Sequence, residues 1–368
     1  MKQIKNIIVL VMLSIFPGVS VIAQYLEVRR SANVKSDFIS SASPIEKAEP
    51  GDFYELLEAA SSASNNYYKV RCKSSPETGY IYRTLVRRFD GPLPTTGSSI
   101  STAGPSEYAG IGQIPVGYYS SVENMEGPLL RKGLHNIIKN HVVFGYDELW
   151  DLLKETDKDP NNPSNVILLY TERSQNWKHR DRGSSFPYEQ NGYTYNDSWN
   201  REHVWAKSHG FPNEVDTPYT DLHHIKPADK TVNSARNNRA FDEGDIPYFD
   251  GGIVPTDCYK SEEYTWEPPD NVKGDIARMI FYMDIRYEGY TINGEKRMDL
   301  IVVDSIPGTK CKDPVHGVLS TLLVWHEQDP VDNWERRRNH IIYTNFQKNR
   351  NPFIDHPEFV KKIWRNIN

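Results

Sequence analysis

One stretch of the chain, from Asn200 to Phe241, concentrates side chains that could perform hydrolytic chemistry. Its sequence is NREHVWAKSHGFPNEVDTPYTDLHHIKPADKTVNSARNNRAF, which holds four of the eleven histidines. Charge does not account for this stretch, because residues 196–245 contain six basic and nine acidic side chains. What distinguishes it is the residue types: a histidine beside a carboxylate, and amide side chains on a predicted helix.

Hydrolysis of a phosphodiester requires a base that activates water, a divalent cation that polarises the phosphoryl oxygen, and a cationic group for the developing negative charge. His203 can act as the base, since the pKa of histidine is ordinarily about 6.5. Glu202 and Asn233 offer the oxygen ligands that Mg²⁺ or Ca²⁺ prefers. Arg236 supplies a guanidinium for phosphate. The stretch therefore contains a candidate for each role.

The amide and guanidinium groups are expected on one helix. Pro227-Ala228-Asp229 predicts a helix start, and beyond it Asn233, Arg236 and Asn237 fall at i, i+3 and i+4. Residues at this spacing lie on one helix face. A metal ligand and a phosphate-binding cation are thus predicted side by side.

Glu202 and His203 are adjacent in sequence, which restricts the places in the fold where both can serve one site. Consecutive strand residues point to opposite faces, so both can serve one site only at a strand end or a distorted turn. Otherwise His203 is a hydrogen-bonded interior histidine and Glu202 is a surface charge.

The elements that must position these residues belong to an ordinary globular chain. Its 368 residues carry 43 Lys and Arg against 49 Asp and Glu, and the net charge of −6 excludes a polycationic nucleic-acid binder. A hydrophobic content of 38% and a mean hydropathy of −0.64 exclude a disordered chain and an integral membrane protein.

The N-terminus predicts export. Basic residues precede the apolar run Ile7–Phe16, and Ala23 fits a cleavage site before Gln24. We therefore expect residues 1–23 to be a signal peptide and the mature protein to be secreted or periplasmic, without a membrane span. An uncleaved anchor is the alternative.

A small N-terminal unit is predicted before a linker. Residues 91–112, GPLPTTGSSISTAGPSEYAGIG, are dense in Pro, Gly, Ser and Thr, which is typical of a linker. Residues 24–90 alternate short apolar stretches with turn residues, which predicts an all-β unit. This unit resembles the bacterial SH3-like barrels, in which ANVKS, PGD, YYKV and GYIY segments recur in this order. The resemblance implies binding of cell-wall or peptide ligands, and a barrel that merely packs against the enzyme is the alternative.

Residues 113–368 form the predicted large domain. Apolar residues at helical spacing from Leu130 to Ile138 and from Ile276 to Met283 predict core helices. Val166–Tyr170 predicts a buried strand. Helices and strands without regular alternation indicate an α+β fold.

Two segments, REHVWAKS and DLHHIKPADKTVNSARNNRAF, are similar to those of the endonuclease I family of secreted non-specific nucleases. Four flanking segments agree in order: YYSSVENMEGPLLRKGLHNIIKNH, DPNNPSNVILLY, GDIARMIFYMDIRY and LLVWHEQDPVDNWERRRNHIIYTNFQKNRNPFIDHPEFV. The resemblance runs from about Tyr118 to Trp364 and implies a ββα-metal (His-Me finger) nuclease domain. It also implies hydrolysis of DNA, with RNA as a further substrate, to 5′-phosphate and 3′-hydroxyl ends through backbone contacts.

The resemblance assigns roles residue by residue. His203 would be the general base, and Glu202 with Asn233 would hold one catalytic divalent metal. Mg²⁺ is the expected ion, with Ca²⁺ or Mn²⁺ as alternatives. Arg236 would contact phosphate. Three further residues would support the site: His223, His224 and Asn237. Tyr219 stands where some relatives carry an acid, so the role of that carboxylate is not carried over.

Other interpretations remain open on sequence alone. A zinc phosphoesterase could use the histidines together, although no HExxH motif is present. Alternatively, the barrel binds cell-wall or peptide ligands and the large domain is inactive. Asp157, Asp159 and Asn161 have the spacing of a calcium loop, yet the positions that need Gly and Glu hold other residues, which favours a polar loop. The sequence does not reveal whether Cys258 and Cys311 form a disulfide.

Overall fold

A computed structural model describes most of the chain. The described residues are 25–28, 32–38, 42–49, 52–58, 67–82, 86–89, 113–181, 187–190, 193–196, 198–251, 254–292, 295–297 and 299–364. The predicted signal peptide and the predicted linker, residues 1–23 and 91–112, lie outside them. By its contacts the chain divides into two compact units, Met1–Ile100 and Ser101–Asn368.

The described part of the N-terminal unit is a seven-stranded antiparallel sheet. Its strands are β1 (Tyr25–Val28), β2 (Ala32–Lys35), β3 (Pro44–Ala48), β4 (Phe53–Glu58), β5 (Tyr67–Arg71), β6 (Thr78–Tyr82) and β7 (Val86–Phe89). They are ordered β3-β2-β6-β5-β4-β1-β7. Alternating apolar residues build its core, among them Leu26, Val34, Val70 and Ile81. The predicted all-β unit is confirmed, whereas in the described residues β3 does not pair with β7, so a closed SH3-like barrel stays a prediction.

The larger unit mixes helices with short sheets, as the α+β prediction requires. Its strands are β8 (Asn165–Ile167), β9 (Ser174–Asn176), β10 (Pro187–Gln190), β11 (Tyr193–Asn196), β12 (Trp199–His203), β13 (Ile225–Asp229), β14 (Ala240–Phe241), β15 (Ile246–Asp250), β16 (Val254–Lys260), β17 (Thr265–Glu267), β18 (Thr291–Ile292), β19 (Glu295–Lys296), β20 (Ile301–Val302) and β21 (Val315–His316). Its helices are α1 (Gly127–Ile138), α2 (Leu149–Thr156), α3 (Lys230–Arg236), α4 (Lys273–Arg286), α5 (Leu319–Gln328), α6 (Asn333–Ile341), α7 (Pro352–Asp355) and α8 (Glu358–Ile363). No helix of the described residues is both long and apolar enough to span a bilayer.

Helix α4 is the centre of the larger unit. Every one of its residues is buried, and α1, α5 and α7 pack around it. Helix α1 contributes Leu130, Leu134 and Ile138 to the same core, so both predicted core helices are confirmed. The predicted strand Val166–Tyr170 is mostly wrong: β8 ends at Ile167, because the chain then turns and the Leu168 N–H donates to the carbonyl of Arg173.

The predicted site lies on two strands and the helix that follows them. Strands β12 and β13 pair antiparallel, with Glu202 opposite Lys226 and His203 opposite Ile225. Helix α3 begins directly after β13 because the Asp229 carboxylate caps the N–H groups of Thr231 and Val232. This ββα unit brings the end of β12 against α3.

Three boundaries differ from the sequence-based expectations. Pro227-Ala228 belong to β13, so only Asp229 marks the helix start. His223 and His224 precede β13 and do not lie in it. Asn237 is outside α3, because its φ of 55° takes the backbone out of the helical region and ends the helix.

Candidate active site

His203 is the last residue of β12, which meets the demand that Glu202 and His203 lie at a strand end. Its Nε2 lies 2.9 Å from the carbonyl oxygen of Tyr219. A carbonyl only accepts, so Nε2 carries the proton and Nδ1 keeps its lone pair. No hydrogen bond to Nδ1 occurs among the described residues. The imidazole is therefore in the tautomer that a general base needs.

Packing fixes the His203 ring and keeps it neutral. The ring of Tyr146 is stacked on it at a centroid distance of 5.9 Å, and the ring of Tyr219 meets it edge-on at 4.7 Å. Burial lowers the pKa of His203 well below its usual value, because a charged imidazole would lose its hydration. The geometry and the burial thus favour a neutral imidazole with a free lone pair on Nδ1.

Glu202 is a buried carboxylate whose two side-chain partners contact the same oxygen. Its Oε1 accepts a hydrogen bond of 2.6 Å from the Tyr170 hydroxyl and lies 3.1 Å from Nη1 of Arg236. Burial raises the pKa of Glu202, and these two partners act in the opposite direction by favouring the charged form. Among the described residues, Oε2 has no side-chain partner and is left for a ligand.

Asn233 is held from behind by a second amide. Its Nδ2 donates to Oδ1 of Asn200 at 2.7 Å, which orients the Asn233 amide and leaves Oδ1 as the free acceptor. Asn200 and Glu202 are two residues apart on β12, so they share the strand face that meets α3. The arrangement presents two oxygen ligands from two neighbouring elements.

Arg236 is buried and joins β12 to α3. Its side chain is 1% exposed, and its guanidinium donates to the carbonyls of His203 and Val204 at 3.0 and 2.6 Å in addition to pairing with Glu202. Nη2 also lies 3.0 Å from Nε2 of His316. A guanidinium with these partners balances the charge of the buried Glu202 and connects the end of β12 to α3. The phosphate contact of Arg236 stays a prediction.

The three residues predicted to support the site are placed differently from one another. His224 lies beside the base, with ring centroids 5.7 Å apart, and its Nε2 contacts the carbonyl of Pro218 at 2.7 Å. That carbonyl belongs to the short 3₁₀ turn Thr217–Thr220, which also carries the Tyr219 carbonyl. His223 instead contacts the carbonyl of Asn349 at 3.3 Å. Burial lowers the pKa of both histidines to about 4.

A cleft of about 580 Å³ opens over this constellation. Its lining includes four of the predicted residues and Asn237, which is exposed at the end of α3. The same cleft is lined by side chains that the sequence analysis did not single out: Tyr146, Trp150, Asn200, Arg201 and Lys207. Strand alternation could have indicated Asn200, whereas Tyr146 lies too far away in sequence to give a signal.

The donor set suits a hard cation. A carboxylate oxygen and an amide oxygen line the cleft, and such a site leaves coordination positions for water and phosphate. Within the described ranges no group of three or more His, Cys, Asp or Glu side chains is placed to hold a metal ion.

The structure also bears on the calcium loop and the disulfide that the sequence left open. Asp157 is fully buried and bonded to Lys226 and Arg338, so its carboxylate belongs to an ion-pair network and not to a calcium loop. Cys258 and Cys311 are both free thiols.

Comparison with known proteins finds one matching family and several relatives. The family model described as Endonuclease I matches residues 127–358. An extracellular ribonuclease of Bacillus subtilis (strain 168) is 47% identical over 270 residues, which cover 73% of this chain and 84% of that protein. An extracellular ribonuclease of Bacillus amyloliquefaciens is 48% identical over 247 residues, 67% of this chain and 78% of that protein. Endonuclease-1 of Buchnera aphidicola subsp. Baizongia pistaciae is 25% identical over 138 residues, 37% of this chain and 46% of that protein.

Proposed function

The chain belongs to the endonuclease I family and is a nuclease, and on that premise we propose that it is a secreted, metal-dependent, sequence-non-specific enzyme that hydrolyses RNA and DNA. The observation that carries the proposal is the neutral His203 beside the two oxygen donors of Glu202 and Asn233 in one cleft. The names of two relatives, both extracellular ribonucleases, support RNA as a substrate, and DNA is proposed from the resemblance to the family.

His203 would take the proton from the attacking water. Its Nε2–H is committed to the Tyr219 carbonyl, so the proton is accepted at Nδ1. The Tyr219 carbonyl then stabilises the imidazolium and keeps the ring in place. Because this partner is a main-chain atom, the acid that some relatives carry at this position is not needed for orientation.

Glu202 and Asn233 would hold the divalent cation, through Oε2 and Oδ1. When bound, the cation supplies charge stabilisation for the phosphoryl oxygen and the departing 3′ oxygen. Oxygen-only ligands favour Mg²⁺, with Ca²⁺ or Mn²⁺ as alternatives. Tyr170 and Arg236 keep Glu202 ionised and aimed, and Asn200 does the same for the amide of Asn233.

Substrate recognition would rest on the sugar-phosphate backbone. The cleft offers amide, hydroxyl and cationic groups, which suit contacts with phosphate and sugar oxygens. The products would carry 5′-phosphate and 3′-hydroxyl ends. With a net charge of −6, affinity should be modest and should fall as salt rises.

The remaining assignments concern the domains and the N-terminal segments. Residues 113–368 would form the ββα-metal nuclease domain, of which β12, β13 and α3 are the ββα unit. Residues 1–23 would direct secretion, which agrees with the word extracellular in the relatives' names. Residues 24–90 would form the SH3-like module for a cell-wall or peptide ligand.

The test is incubation of the purified protein with plasmid DNA and with RNA, in Mg²⁺ and in EDTA. We expect both substrates to be cut in Mg²⁺, cutting to stop in EDTA, and Mg²⁺ added in excess to restore it. Rescue by Zn²⁺ and not by Mg²⁺ would indicate the zinc phosphoesterase. Absence of cutting with any divalent ion would indicate a binding protein with an inactive large domain.

A further inference from the structure

We propose that Arg201 is the residue that contacts the scissile phosphate, an assignment that rests on the proposed nuclease function. Phosphoryl transfer needs a cation for the charge that develops on the non-bridging oxygens. Arg236 is committed to Glu202 and to two main-chain carbonyls, so its guanidinium is not available for this role. Another cation of the cleft must therefore supply it.

Arg201 lies on the same side of β12 as the base. The two residues are separated by one position, and alternate residues of a strand share a face. Both side chains contact the ring of Tyr146: the Arg201 guanidinium carbon is 3.4 Å from its centroid, and the His203 ring centroid is 5.9 Å away. The guanidinium and the imidazole therefore flank one aromatic side chain and line one cleft.

The guanidinium of Arg201 is held in place without its charge being neutralised by a buried acid. It contacts the rings of Tyr146 and Trp150, at 3.4 and 4.1 Å, and Nη1 donates to the Tyr146 carbonyl. Its acidic neighbour, Asp147, lies 3.7 Å away and is 92% exposed. A solvent-exposed ion pair is weak, so Asp147 does not cancel the positive charge of Arg201. The guanidinium also hydrogen-bonds with the Tyr146 side chain, and the Arg201 side chain, which is 10% exposed, lines the cleft.

Lys207, the third cation that lines the cleft, is a weaker candidate. The residue is exposed, and its ammonium already donates to the Tyr219 hydroxyl at 2.6 Å. A lysine also presents a single point of charge, whereas the planar fork of an arginine can donate two parallel hydrogen bonds to two phosphate oxygens.

Arg201 would assist the attack of water on the scissile phosphate. The bond between the water oxygen and phosphorus forms, the bond between phosphorus and the 3′ oxygen breaks, and the water proton passes to Nδ1 of His203. The 3′ oxygen leaves as an alkoxide and takes a proton from solvent to become the 3′-hydroxyl. Negative charge on the non-bridging oxygens is greatest midway, so contacts from Arg201 stabilise the transition state more than the bound substrate.

The experiment compares Arg201→Met, Arg201→Lys and Arg337→Met with wild type in saturating Mg²⁺. Arg337 is the matched control, because it lies over the ring of Trp334 and donates to the Thr156 carbonyl but does not line the cleft. We expect kcat of Arg201→Met to fall about 100-fold, with the Tm and the Mg²⁺ midpoint near wild type. Arg201→Lys should remain about tenfold impaired, because the fork is lost. Free guanidinium at millimolar concentration should partly restore Arg201→Met.

The outcomes separate this inference from the function on which it rests. Wild type that cuts no substrate would overturn both. Active wild type with Arg201→Met within about threefold of its kcat would overturn the role of Arg201 alone. If Arg201→Met fails to fold, full activity of Arg201→Lys would overturn it, because a stacking role would then suffice. An equal loss of kcat in Arg337→Met would also count against the role of Arg201. The same holds if guanidinium does not restore the activity of Arg201→Met.

Discussion

The base of the site is oriented by the main chain. The Tyr219 carbonyl fixes the Nε2 proton of His203, and His224 holds the neighbouring Pro218 carbonyl of the same turn. A carbonyl cannot be changed by a side-chain substitution, so this orientation tolerates variation at Tyr219. The turn itself must keep its shape, and the buried His224 stabilises it through the hydrogen bond to the Pro218 carbonyl.

Residue chemistry explains what could be predicted about the site. Glu202 and His203 are adjacent, and Asn233 belongs to the next helix, so pattern and resemblance together identified them. Tyr170 could not be found this way, because it meets Glu202 from 32 positions away and its own surroundings carry no signal. The pairing of Arg236 with Glu202 could not be predicted either, because a sequence does not show which acid an arginine meets.

Removing the amide ligand should affect the metal first. Asn233→Ala should raise the Mg²⁺ concentration for half-maximal activity by about tenfold or more, because one of two protein ligands is lost. Asn200→Ala should shift it in the same direction by less, since it only orients the amide. Asn233→Asp keeps an oxygen ligand and serves as the control. Isothermal calorimetry would measure the midpoints, and unchanged metal binding in Asn233→Ala would show that the ligand is misassigned.

At the scale of elements, the site depends on how α3 begins. The Asp229 carboxylate caps the helix through the N–H groups of Thr231 and Val232 and also pairs with Arg173 at 2.6 Å. It therefore joins β13, α3 and the turn after β8. The sequence indicated this helix start, but placed it two residues early, because Pro227 is tolerated in the two-stranded ladder as well as in a first helical turn.

Asp229→Ala should weaken both the helix and the site. Loss of the cap should cost about 1–2 kcal/mol of unfolding free energy, and more is expected because the ion pair with Arg173 is lost as well. Asn233 sits on the same short helix, so the Mg²⁺ midpoint should rise as well. Urea unfolding and a metal titration would measure the two effects. Asp229→Asn, which retains a capping oxygen, should keep most of the stability, and an equal loss in both variants would contradict the capping role.

At the scale of the whole molecule, every residue of the proposed site lies in the unit Ser101–Asn368. The α+β class of this unit and its core helices could be predicted from apolar periodicity. The small sheets could not, because strands of two or three residues leave too short a pattern. Closure of the N-terminal sheet into an SH3-like barrel rests on the resemblance of four short segments and stays a prediction.

A chain reduced to residues 113–368 should therefore retain nuclease activity. We expect its rate per molecule on plasmid DNA to match that of the full chain, because no described residue of the N-terminal unit lines the cleft. Circular dichroism would verify folding before the assay. A folded but inactive truncated protein would show that residues 1–112 contribute to catalysis.

One buried acid gives the molecule a testable pH dependence. Burial and, to a smaller extent, the nearby Asp275 raise the pKa of Asp329 to about 7. The unfolded pKa is about 3.9, so the folded state binds the extra proton and stability falls as pH rises from about 4 to 7. Asn does not titrate and can still accept from the Gly274 N–H, which contacts Asp329 at 3.0 Å.

Asp329→Asn should consequently raise the Tm at pH 8 by a few degrees and change it little at pH 4. Scanning calorimetry at the two pH values would measure the difference. The exposed Asp245→Asn serves as the control and should shift neither value. Equal stabilisation by Asp329→Asn at both pH values would contradict the raised pKa as its cause.

The central claim is tested most directly by the turnover of His203→Ala beside wild type, with Mg²⁺ binding measured on the same samples. We expect the rate to fall by about 100-fold or more while the Mg²⁺ affinity stays near wild type, because the base is removed and both ligands remain. His356→Ala, a partly exposed histidine outside the cleft, should be unaffected. A His203→Ala protein that binds Mg²⁺ and cuts nucleic acid at the wild-type rate would contradict the account.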